Sequence, residues 1–79
     1  MKDRTFEQAL EALKNVKSVA RSGWNGKNMY LFLVQTWESP SILDSTEKLP
    51  FIAMCTAQGA FVPWVASQTD MLADDWEIL

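Results

Sequence analysis

A Thr5-x-x-Gln8 pair opens the one long amphipathic segment of this sequence, and the apolar runs that follow it are only strand-length. That pair has the spacing of a capping box, in which hydroxyl and amide close each other's unpaired backbone N–H groups. Phe6, Ala9, Leu10, Leu13 and Val16 then recur at helical spacing, with Glu7, Glu11 and Lys14 on the opposite side. The pattern predicts a helix from Phe6 to Asn15. Val19-Ala20-Arg21 reads as a short strand, and Ser22 to Lys27 as a turn whose Asn25-Gly26 pair suits positive φ. Met29 to Val34 is a continuous apolar run, read as a strand buried on both faces or lying beside a partner subunit. Polar residues from Thr36 to Lys48 make a loop. Phe51 to Thr56 and Phe61-Val62 are strands joined by a hairpin turn at Ala57 to Ala60, with Pro63 placing the second at its end or at a sheet edge. A short helix over Ser67–Leu72 and a strand over Asp75–Ile78 complete an α+β fold. Its N-terminal helix packs on a small, mostly antiparallel β-sheet, with the short second helix near the C-terminus.

The chain's 79 residues, read as one domain over 1–79, stand near the lower limit for a self-sufficient core. A chain of this size buries roughly 60–65% of its unfolded surface. Cys55 is the only cysteine and histidine is absent, so an internal disulfide is impossible and a zinc site is not expected. Oligomerisation becomes the leading way to bury more surface. The four tryptophans agree, since Trp is favoured at subunit contacts and in ligand pockets. No apolar run suits a signal peptide or a membrane span, and the lone cysteine fits a reducing, intracellular setting. A net charge of -3 argues against binding of long nucleic acid, which depends on a basic surface. It leaves a small anionic ligand open, because Lys14, Lys17, Arg21 and Lys27 cluster while Asp70, Asp74, Asp75 and Glu77 gather at the other end.

Catalysis finds little support. Without histidine, a general base near neutral pH would have to be a carboxylate or lysine with a shifted pKa, and the spacing of Asp70, Asp74 and Asp75 does not require one. Cys55 in an apolar strand reads as a buried filler. No phosphate-cradling glycine loop or dinucleotide fingerprint is present, so no cofactor is expected. Binding is better supported. Arg21, Trp24, Asn25 and Lys27 surround a glycine-flanked turn, offering an aromatic face, an amide and cations to a nucleotide. The competing reading is a turn whose Trp24 packs on the sheet and whose charges are solvated. Met29 and Tyr30 read as core or interface, with pocket lining as the minority alternative. Ser67 and Asp70 have capping-box spacing with Asp in place of Glu or Gln. Such a helix start either caps itself or seats a phosphate. Gln68 and Thr69, on its first turn, face water unless a cleft lies there.

The segments Phe6 to Lys14 and Val19-Ala20-Arg21-Ser22-Gly23-Trp24-Asn25-Gly26-Lys27 resemble the N-terminal half of a family of small phage proteins. Trp64-Val65-Ala66-Ser67-Gln68-Thr69-Asp70-Met71-Leu72-Ala73-Asp74-Asp75-Trp76 is similar to that family's C-terminal signature. The family is the second type of Thoeris anti-defence protein. The resemblance implies a homotetramer with pockets between protomers, acting in the cytoplasm of the host bacterium. It implies a sponge that is not an enzyme: the protein sequesters a cyclic ADP-ribose-type signal, glycocyclic ADP-ribose, and so blocks effector activation. Some members also hold cyclic oligonucleotides. The implied pocket walls are the Gly-Trp-Asn-Gly turn and the Ala-Ser-Gln-Thr-Asp segment. Residue by residue these are Arg21, Trp24, Asn25, Met29, Ser67, Gln68, Thr69 and Asp70. Two departures stand out, a short central segment from Gln35 to Lys48 and a Gln58-Gly59 hairpin where relatives have Asp-Gly or similar. The alternative is a protein-binding module that inhibits a host defence protein directly; a hydrolase using Asp70 or Asp74 ranks third.

Overall fold

A computed structural model describes residues 3–24, 28–37 and 48–79. Their order is helix α1 (Phe6–Lys14), strands β1 (Val19–Arg21), β2 (Tyr30–Val34), β3 (Phe51–Cys55) and β4 (Phe61–Pro63), helix α2 (Gln68–Leu72) and strand β5 (Trp76–Ile78). The fold is α+β, as the sequence patterns imply. Asn25, Lys27 and most of the Thr36–Lys48 loop lie outside the described residues.

The sheet runs β4-β3-β2-β1-β5, and every pairing is antiparallel. Strands β1 to β4 form a meander, and β5 returns to the far side of β1, setting Ala20 opposite Glu77 and Arg21 opposite Trp76. The outer edge of β5 is covered by the chain start: Arg4 and Trp76 exchange both backbone hydrogen bonds, at 2.9 and 3.1 Å. At the other edge, β4 ends in Pro63, which has no N–H to offer a further strand. The β3–β4 hairpin turns through Gly59 at φ 84°, closed by Gly59 N–H donating to the Thr56 carbonyl.

Helix α1 starts where the capping box places it, with Gln8 N–H donating to Thr5 Oγ1 and Thr5 N–H donating to Gln8 Oε1. It stops one residue before the expected end. Val16 N–H donates to Leu13 and Lys17 N–H to Ala12, which is a Schellman closure with Val16 in the left-handed conformation at φ 62°. Val16 therefore stands outside the apolar stripe it was expected to complete, and is 63% exposed. The stripe that is buried consists of Ala9, Ala12 and Leu13.

Helix α1 packs on one face of the sheet with α2 against it, and the core forms there around Ala9, Leu13, Val19, Leu31 and Trp76. Trp76 is fully buried and sits at the centre of an aromatic cluster. Phe6 and Trp24 lie 5.6 Å from it and Trp64 6.2 Å, measured between ring centroids. Of the two expectations for strand β2, burial on both faces within the chain is not met, and a place beside a partner subunit remains an expectation. Only Leu31 is fully enclosed, because α1 covers one face and no described element covers the other.

Candidate functional site

The C-terminal end of β1, the turn that follows it and helix α2 meet through one guanidinium. Arg21 Nε donates to Asp75 Oδ1 at 2.8 Å and Nη1 to Asp70 Oδ1 at 2.9 Å. Nη2 reaches Asp75 Oδ2 at 3.4 Å. The register explains the meeting: Arg21 pairs with Trp76, which puts the preceding Asp75 within reach. Asp75 Oδ2 also accepts the Gly23 N–H at 2.8 Å, and Ser22 Oγ donates to the Asp75 carbonyl. A Cβ at Gly23 would lie 2.8 Å from that same carboxylate oxygen, so only glycine permits the approach.

Asp70 carries three loads. Its carboxylate accepts from Arg21, from Trp24 Nε1 at 3.4 Å and from Ser67 N–H at 3.3 Å, while its own N–H donates to Ser67 Oγ. Its backbone carbonyl accepts from Trp76 Nε1 at 3.0 Å. The Ser67–Asp70 pair is thus a complete capping box with Asp serving where Glu or Gln is usual.

Electrostatics follow this geometry. Burial works against charging Asp70, but the hydrogen bonds from Arg21, Ser67 and Trp24 outweigh it and hold the carboxyl below its ordinary value. For Asp75 the Arg21 hydrogen bond is the largest influence and exceeds the opposing burial, again lowering the pKa. Arg21 is raised in turn, first by Asp75 and then by Asp70. The guanidinium is therefore a strut between two carboxylates rather than a cation turned to solvent.

Beside this strut an open groove of about 420 Å³ is lined by Arg21, Trp24, Met29, Tyr30, Asn28 and Glu77, among others. It brings together three of the expected residues: Arg21, Trp24 and Met29. Asp70 joins them indirectly, through its bonds to Arg21 and Trp24. Ser67, Gln68 and Thr69 do not line the groove; they are exposed on α2. Asn25 lies outside the described residues. Sequence reasoning missed Asp75, Glu77 and Asn28 as members. The β1–β5 register could have revealed the first two, but register is not readable from local patterns. Asn28 takes φ 64°, and asparagine next to a turn is the usual signal for that geometry. No group of His, Cys, Asp and Glu suited to a metal ion occurs among the described residues, and no helix among them is long and apolar enough to cross a membrane.

These features define a small α+β protein with an aromatic-walled groove, braced by an Arg21-centred ion-pair network. The chain belongs to the Thoeris anti-defense 2-like family, whose model matches residues 4–79. It is similar to a protein named "Thoeris anti-defense 2" of Bacillus phage SP01, at 42% identity over 87 aligned residues. That alignment covers 95% of this chain and 93% of the relative. The family relation supports a role in phage anti-defence in the host cell.

Proposed function

We propose that this protein is a sponge: it binds glycocyclic ADP-ribose, or a close cyclic ADP-ribose-type signal, in the groove beside Trp24 and releases it unchanged. Removing the free signal keeps the Thoeris effector inactive. The observation that carries the reading is the groove itself. Its volume of about 420 Å³ falls within the roughly 300–1,000 Å³ usual for small-molecule sites. Trp24 and Tyr30 offer faces to a base, worth ~1–3 kcal/mol per stacked base. Asn28 and Ser22 add hydrogen-bonding groups at the rim. Because the guanidinium of Arg21 is committed to Asp70 and Asp75, its part in the site is to fix the Trp24 wall rather than to grip phosphate alone. Family membership in anti-defence supports the same reading, and a sponge requires no catalytic group.

Calorimetric titration with glycocyclic ADP-ribose tests the proposal. The wild-type chain should bind tightly, and Trp24→Ala should lose at least tenfold in affinity. Trp24 also packs on Trp76, so Met29→Glu provides a second probe that leaves the aromatic cluster intact. It places a negative charge in the groove and should weaken the anionic ligand similarly. Normal binding by a folded Met29→Glu protein would move the site elsewhere. No binding by the wild type to this signal or to cyclic di- and trinucleotides would favour direct inhibition of a host protein.

A further inference from the structure

We propose that Glu77 is the specificity-determining residue of the groove, a carboxylate that selects its ligand by accepting hydrogen bonds from the vicinal hydroxyls of a ribose. This role rests on the ligand reading above and names the part of the ligand that meets this wall. Val19, Leu31 and Trp76 are buried in the core, so strand alternation sends Ala20, Tyr30 and Glu77 to the other face of the sheet. The register brings these three into one row. Ala20 is paired with Glu77 on β5, and the antiparallel step that sets Val19 opposite Leu31 puts Ala20 beside Tyr30 on β2. All three line the groove. Two strand spacings separate Tyr30 from Glu77, about 10 Å between backbones. The floor between them is the methyl group of Ala20, only 7% exposed. A ring lying on Ala20 therefore has an aromatic side chain on one flank and a half-buried carboxylate on the other.

Charge decides which ring lies there. Among the described residues that line the groove, Arg21 is the cation and Glu77 the carboxylate. Arg21 is held by Asp70 at 2.9 Å and Asp75 at 2.8 Å, so its charge is already matched. A phosphate set against Glu77 would meet like charge, which places the pyrophosphate away from this wall. A carboxylate accepts hydrogen bonds and donates none. Its two oxygens offer about four acceptor sites, enough for a ligand alongside contacts within the chain. The donors of an ADP-ribose-type ligand are the ribose hydroxyls and the amine of the base. Hydroxyls on neighbouring carbons match the two oxygens of one carboxylate, and acidic side chains bind ribose hydroxyls in dinucleotide sites by the same chemistry. The base has its own place on the indole of Trp24. Glu77 is thus a filter that passes a ribose with free hydroxyls and turns away one phosphorylated there.

Calorimetric titration with glycocyclic ADP-ribose tests this role through the sign of one substitution. Glu77→Gln removes a negative charge beside an anionic ligand, so it would tighten binding if the carboxylate merely stood nearby. A carboxylate that accepts from the ribose makes charge-assisted bonds that glutamine cannot equal. Glu77→Gln should therefore weaken binding at least tenfold. Glu77→Asp, which keeps the charge but draws the oxygens back by one methylene, should weaken it too. Both variants should keep the wild-type circular dichroism spectrum, since Glu77 faces away from the core. Glu7→Gln makes the same charge change at an exposed position in the first turn of α1 and should bind like wild type.

Unchanged or tighter binding by Glu77→Gln would overturn the proposal. The hypoxanthine analogue of the signal, which has a carbonyl where adenine has its amine, separates ribose from base. The ratio of wild-type to Glu77→Gln affinity should be the same for this analogue as for the signal. A ratio that falls to one or inverts would assign Glu77 to the base amine and overturn the ribose assignment. A wild type that binds no nucleotide overturns the ligand reading itself. Wild-type binding that Glu77→Gln leaves intact overturns the role of Glu77 alone.

Discussion

Arg21 and Asp70, 49 positions apart in the chain, are joined by a 2.9 Å ion pair that fastens the end of β1 to helix α2. With Asp75 on its other flank, Arg21 is the one cation among the described residues that bridges these two partly buried carboxylates. Removing it leaves those carboxylates with their neutral N–H donors but without the positive charge between them. Arg21→Met, which keeps the aliphatic stem, should destabilise the fold by about 3 kcal/mol. Asp70→Asn retains most of the cap and should cost about 1–2 kcal/mol. Urea denaturation measures both, and equal small losses would show that the pair is only a surface contact.

The same network sets the acid limit of stability. Asp70 and Asp75 titrate lower in the folded protein than in the unfolded chain. Groups of this kind contribute stability above their unfolded value, near 4, and lose it as pH falls through the folded value. The melting temperature should stay level from pH ~7 to ~5 and fall steeply below ~4. Asp75→Asn should start lower at neutral pH and show a shallower acid limb.

Gly23 admits Asp75 to the turn. Gly23→Ala places a methyl 2.8 Å from Asp75 Oδ2 and must push the carboxylate off the Gly23 N–H and Arg21. A loss of about 2 kcal/mol is expected from the disrupted charge-assisted bonds. Gly59→Ala meets no atom within 4 Å, but φ +84° makes it costly by about 1 kcal/mol. The two variants compared by thermal melts separate crowding from backbone strain.

Val16 offers a gain. It occupies the left-handed position after α1, where glycine is usual, and it is mostly exposed. Val16→Gly should stabilise the protein by about 1 kcal/mol, since relief of strain exceeds the added freedom of the unfolded chain. A higher urea midpoint with unchanged slope is the expected readout.

Local signals were legible in the sequence. Both capping boxes, the hairpin through Gly59, the edge position of the Pro63 strand and the antiparallel character of the sheet follow from spacing and turn chemistry. Trp24 and Arg21 stood out as residue types suited to a nucleotide. What spacing could not give was the company Arg21 keeps, because Asp70 and Asp75 reach it only through the β1–β5 pairing. The same applies to β2. An unbroken apolar run says that both faces avoid water, but not that α1 covers one face and leaves Phe32 and Val34 on the other. Ser67 illustrates the opposite outcome: its hydroxyl is engaged by Asp70 N–H, the self-capping alternative.

Sequestration makes the most direct demand on the central claim. Protein and glycocyclic ADP-ribose would be mixed near equimolar protomer concentration, free nucleotide measured after ultrafiltration, and the retained fraction heated and analysed by chromatography. A sponge depletes the free signal in proportion to its sites and returns it chemically intact. A free concentration unchanged by the protein, or recovery of cleaved products in place of the signal, would contradict the account.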